Sequence, residues 1–119
     1  MLADHHSFAQ EWVSAWNAHD LERILSHYAD DVVFRSPFVA KLTGEKSGEL
    51  RGKAALRGYF AKALAENTAL RFHLRRVLLG VGSVVLIYDS INNLVAAEMM
   101  ERNAAGQATR VSAHYSSEQ

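Results

Sequence analysis

Near Ala69 the apolar residues of this 119-residue chain change their spacing, and that change limits the folds open to it. Before it they recur every three to four positions, the repeat of one helical face. After it they alternate, the repeat of a strand. Phe8, Trp12, Ala15, Trp16 and His19 form the first helical stripe, with Asp4 or Ser7 placed to cap its start. Asn17-Ala18-His19-Asp20 breaks that run, and Asp20 can cap a second helix with Leu21, Ile24, Leu25 and Tyr28 on its apolar side. Ala29-Asp30-Asp31 closes that helix, and Val32-Val33-Phe34 reads as a short strand ended by Pro37, the only proline. Residues 40–52 read as a mobile hairpin or flap, with a short strand near Glu49-Leu50-Arg51. A third helix then follows Gly52, turning Leu56, Tyr59, Phe60, Ala63 and Leu64 inward.

Beyond Ala69, Leu70, Phe72 and Leu74 alternate with Arg71, His73 and Arg75, as on a half-buried strand. Turns at Gly80–Gly82, Asn92-Asn93 and Asn103–Gly106 separate strands over Ser83–Ile91, Leu94–Arg102 and Ala108–Ser116. Three helices followed by an antiparallel meander make an α+β domain over 1–119, with the helices on one side of the sheet. Two of its strands are apolar on both faces. Val84, Leu86 and Tyr88 oppose Val85, Ile87 and Ile91, and Val95, Ala97 and Met99 oppose Ala96 and Met100. Helices on one side cover one of these faces, so the other needs its own cover. A twofold partner supplies it economically, which predicts a homodimer through the outer sheet face; a loop or the tail folded over that face is the alternative.

Composition narrows the function classes. Thirteen basic and thirteen acidic residues balance, so the basic excess of a nucleic-acid binder is missing. The absence of cysteine removes disulfides, thiolate nucleophiles and Cys-based zinc sites, and fits a reducing compartment. Met1–His6 is polar and lacks the pattern of a signal peptide, and the longest apolar runs are far shorter than the ~20 residues of a membrane span. A cytoplasmic location is the expectation. The six histidines are scattered without metal-ligand spacing, and the adjacent His5 and His6 do not share a helix face, so no metal and no cofactor are predicted. His19-Asp20 reads as capping, and Asp30-Asp31 as solvated helix-end residues. Among the candidate reactive groups Glu98 stands out, because Leu94-Val95-Ala96-Ala97 before it and Met99-Met100 after it are all apolar. A carboxyl so placed is desolvated and can act as acid, base or ligand donor. It can equally be a structural Glu held by Arg or Trp, or lie at a dimer interface.

The segments Trp16–Ile24 and Tyr28–Pro37 resemble the opening of nuclear-transport-factor-2-like proteins, above all their SnoaL-like polyketide-cyclase branch. Leu50–Phe60 is similar to that family's short strand and third helix, and Asn103–Gln107 to the turn before its last strand. The resemblance implies the cone-shaped NTF2-like (cystatin-like) fold, with three N-terminal helices on a strongly curved antiparallel or mixed sheet and a cavity between them. It also commonly implies a dimer through the outer face. It turns the Ala96, Glu98, Met100 face inward. In the family's ketosteroid isomerase an oxyanion is held by a tyrosine and a late carboxylic acid, and an aspartate moves the proton. These positions fall at Trp12, Glu98 and Ser36, so the set is incomplete. Trp12, Trp16, Phe34, Ser36, Phe38, Tyr59, Phe60, Tyr88, Met100 and Tyr115 are the candidate ligand contacts, though aromatics at helical spacing also serve as plain core. The leading expectation is a protein that binds a small apolar molecule. An isomerase-, cyclase- or dehydratase-type enzyme with Glu98 as acid/base, and an interaction module acting through the sheet face, are its rivals.

Overall fold

The computed structural model describes residues 2–116. Its element order is α1 (Leu2–Asn17), α2 (Leu21–Leu25), β1 (Tyr28–Arg35), α3 (Pro37–Thr43), β2 (Glu49–Arg51), α4 (Lys53–Glu66), β3 (His73–Leu79), β4 (Ser83–Asp89), β5 (Val95–Arg102) and β6 (Ala108–Tyr115). The strands form one sheet in the order β2-β1-β6-β5-β4-β3. Pairing is antiparallel except between β1 and β6, which run parallel. This is the expected α+β architecture; the parallel β1–β6 pair makes the sheet mixed rather than purely antiparallel, and four helices stand where three were read. Helices α1 and α4 lie against it, and the core of Trp12, Ile24, Leu56, Phe60, Leu86 and Met100 is sealed between the layers.

Local chemistry explains most boundaries. Asp20 caps α2 as expected, its Oδ1 accepting from the Arg23 N–H at 3.2 Å. Asn92 and Asn93 take φ of 56° and 61°, and the Leu94 N–H donates to the Ile91 carbonyl, closing the left-handed two-residue turn that matches the twist of a hairpin. The β3–β4 and β5–β6 turns fall at Gly80–Gly82 and Asn103–Gly106 as read from sequence.

Four expectations need correction. Asp4 and Ser7 lie inside α1 rather than at its start; Asp4 meets Arg102, Nη1 to Oδ2 3.0 Å, tying the helix to the end of β5. Tyr28 belongs to β1, not α2, because α2 ends after one turn, and Asp30-Asp31 is therefore exposed strand. The start of the supposed flap is helix α3. Ser36 caps it, Pro37 occupies its first turn where no N–H is needed, and Gly44 closes it at φ 79°. Finally, β3 starts at His73 rather than Ala69. The Asn17 amide takes the place of a neighbouring strand at Phe72, accepting from its N–H at 2.6 Å and donating to its carbonyl at 2.9 Å. The tail past Ser116, part of the alternative cover for the outer sheet face, lies outside the described residues.

Candidate functional site

The interior of the sheet and the helices over it leave a cavity of about 290 Å³. Strand parity builds its floor. On β4 and β5 the buried set is Val84, Leu86, Tyr88, Ala96, Glu98 and Met100. The register puts Leu86 and Ala113 opposite Glu98 and Tyr88 opposite Ala96, so Tyr88 and Glu98 are diagonal neighbours with a small alanine between them. The Tyr88 hydroxyl donates to Glu98 Oε1 at 2.6 Å. Glu98 is 3 % exposed, and burial pushes its carboxyl up to about 7, against a smaller downward pull from the Tyr88 hydrogen bond. Burial, with the Glu98 charge second, also raises Tyr28, Tyr88 and Tyr115 well above the ordinary phenol value.

Helix α1 supplies the opposite wall. Trp12 and Trp16, four residues apart, present adjacent rings at 6.1 Å, and Trp12 stacks on Phe72 at 5.7 Å. Helix α4 adds Tyr59 and Phe60, the latter edge-on to Trp16 at 4.7 Å. Phe38 of α3 packs on Tyr115 of β6 at 4.5 Å. Exposed Lys41, Glu66 and Asn92 form the rim.

Nine of the eleven candidates read from sequence therefore line one cavity: Glu98 and the aromatic residues Trp12, Trp16, Phe34, Phe38, Tyr59, Phe60, Tyr88 and Tyr115. Two do not. Ser36 is buried behind the lining, its hydroxyl accepting from the Phe38 N–H at 3.2 Å and lying beside Tyr59 and Tyr115. Met100 is wholly buried between Val84 and Val111 in the packed core. Sequence reading missed Phe72, Ile91 and Leu42 in the lining, and Tyr28, whose hydroxyl accepts from Trp12 Nε1 at 2.9 Å. The alternation through Leu70 and Phe72 was the available signal for Phe72. Nothing local marked Tyr28, because its stripe position suited a helix equally well. Trp16 Nε1 is buried without a hydrogen-bond partner.

Residues 9–117 match the family model of the SnoaL-like domain. The chain belongs to the SnoaL-like family. A SnoaL-like protein of unknown function from Burkholderia thailandensis shares 38 % identity, covers 98 % of each chain and superposes with a TM-score of 0.95. An NTF2-like protein from Cytophaga hutchinsonii matches at 14 % identity over 94 % of this chain and 89 % of its own, TM-score 0.73. A protein of cystatin-like fold from Methylobium petroleophilum matches at 18 % over 98 % and 78 %, TM-score 0.76. These two distant structures support the fold alone. No curated protein matches the chain.

Within this SnoaL-like fold the isomerase positions are differently spent. Trp12 commits its N–H to Tyr28, Ser36 commits its oxygen to capping α3, and Glu98 alone keeps an acid in the cavity. The histidines stand elsewhere. His19 bonds the Leu70 carbonyl at 2.9 Å, and His27 faces Glu11 at 3.5 Å. His73 and His114 are exposed. Among the described residues no three His, Asp or Glu side chains are grouped to hold a metal, and no helix is long and apolar enough to cross a membrane.

Proposed function

We propose that this SnoaL-like protein binds a small, mainly apolar molecule in the aromatic cavity, its one polar group met by Glu98. The carrying observation is a carboxyl buried at the floor of a cavity lined largely by aromatic rings, with a single hydrogen-bond donor, Tyr88. At ~30 Å³ per water-sized group, the space suits roughly ten non-hydrogen atoms, at the lower end of ligand pockets. Trp12 and Trp16 report on occupancy. Titrating a panel of single-ring compounds against their fluorescence should give a saturable change for at least one, weakened about tenfold by Glu98→Gln, the loss of a charge-assisted contact. A panel without any saturable change rejects the reading.

A carboxyl that titrates near 7 can take and return a proton at neutral pH, which favours acid/base chemistry on the bound molecule as a second reading. One structural relative, from Kribbella flavida, is provisionally described as a ketosteroid isomerase, at 16 % identity. The incomplete set at Trp12 and Ser36 argues against that reaction here.

The outer sheet face supports a homodimer. Leu78, Val85 and Met99 stand in one row across β3, β4 and β5, with Ile87 and Ala97 in the next, and no described element covers them. A second copy meeting this patch about a twofold axis buries it against itself, whereas an interaction module would bring a foreign protein to the same surface. The lack of cysteine accords with a reducing, cytoplasmic setting.

A further inference from the structure

Glu98 lacks the partner that buried carboxylates require. Ionised carboxylates seldom sit inside a protein unless a cation compensates them, because removing the charge from water costs several kcal/mol. No Lys, Arg or His within the described residues reaches Glu98, and its only polar neighbour in bonding distance is the Tyr88 hydroxyl. The groups facing it from the surrounding elements are phenols: Tyr28 from β1, Tyr59 from α4, Tyr88 from β4 and Tyr115 from β6. Burial raises all four, so they stay neutral where Glu98 titrates. Helix α1 contributes the indole of Trp12. The other charged residues in the lining, Lys41 of α3 and Glu66 of α4, are exposed at the rim, where solvent screens them.

The rest of the lining is suited to what is missing. Two tryptophans, four phenylalanines and three tyrosines surround the space, and the electron-rich face of such rings attracts a desolvated cation. Resting on the reading of this cavity as a ligand site, we propose that its ligand is a small organic cation, a protonated amine on an apolar body, whose ammonium group pairs with Glu98. An anionic ligand meets repulsion here once Glu98 ionises. A neutral one leaves Glu98 protonated and takes no advantage of the charge.

The two kinds of ligand differ in the sign of their pH dependence. A cation pairs with the ionised carboxylate, so binding expels the Glu98 proton and strengthens as pH rises toward neutrality. A neutral hydrogen-bond acceptor needs the protonated acid and weakens over the same range. Benzylammonium and its neutral counterpart benzyl alcohol separate the cases by calorimetry on the intact protein at about pH 5.5 and about pH 8. The expected result is saturable benzylammonium binding, about thirtyfold tighter at the higher pH, with proton release at the lower one. Benzyl alcohol should bind more weakly at the higher pH, and Glu98→Gln should abolish the preference for the cation. Benzyl alcohol binding equally or better, with affinity falling as pH rises, overturns the cation while leaving the cavity a ligand site. Neither compound binding at millimolar concentration overturns the cation and removes support from the cavity reading as well.

Discussion

The two faces of β4 and β5 are made of nearly the same residues and have opposite fates. Inward, Val84, Leu86, Ala96 and Met100 are wholly buried, and the same face carries a carboxyl. Outward, Val85, Ile87, Val95, Ala97 and Met99 are half-buried, and Leu78 beside them on β3 is 46 % exposed. Apolarity therefore does not tell the faces apart. The helices do, by turning one face into a dry interior where a single ionisable group has large consequences. The outer face also changes along the sheet, from this apolar patch to a charged end at β1 and β2, where Arg35 and Arg51 flank Glu49 at 2.9 and 2.7 Å. An interface confined to β3–β5 is what that gradient predicts.

The contrast breaks most readily by truncation. Leu86→Ala on the inner face should cost about 2–5 kcal/mol, while Val85→Ala, its outward neighbour, should cost under about 1 kcal/mol in the isolated subunit. Denaturant unfolding of both measures the difference, and equal losses would show that the outer face is as firmly packed as the core. The next effect comes from Glu98. Its native carboxyl titrates near 7 against an ordinary value of 4.5, so the folded state holds its proton over that interval while the unfolded state releases it. Stability then declines as pH rises from about 4.5 to about 7, by roughly 3 kcal/mol from this group. Glu98→Gln, which keeps an acceptor for Tyr88 without a charge, should flatten that decline and melt higher than the native protein at about pH 8. An unchanged profile would mean that water or a counter-ion reaches the carboxyl. The smallest change to the fold itself, under about 1 kcal/mol, is expected for Met99→Lys. On the outer face it should convert a dimer to a monomer in sedimentation while leaving the subunit's melting nearly unchanged. A protein that is monomeric before the substitution refutes the dimer.

Much of the fold was legible because its signals are local. Asp20 announced α2 by its cap, Asn92-Asn93 a hairpin by tolerance of left-handed backbone, and the alternation from Ser83 both central strands. The failures have a common cause in contacts between distant residues. Nothing near Phe72 says that Asn17, 55 positions earlier, will bond its backbone and delay β3. Ser36-Pro37 was a readable helix start, but the polar stretch after it suggested a flap. In the candidate site, parity put Glu98 on one face with Ala96 and Met100, the family resemblance turned that face inward, and helical spacing identified Trp12 and Trp16. Whether a side chain bounds empty space or fills it depends on how two layers meet, which is why Met100 and Ser36 were included and Phe72 was not.

Sequence alone determined the period of each segment, the turn positions and the isolation of Glu98 among apolar neighbours, because these follow from backbone preference and from residues adjacent in the chain. Tertiary structure decided which sheet face became interior, which hydroxyl reached the carboxyl and how much room remained around it. Those depend on the packing of helices against strands tens of residues away, where a shift of one side chain's width separates a cavity from a filled core.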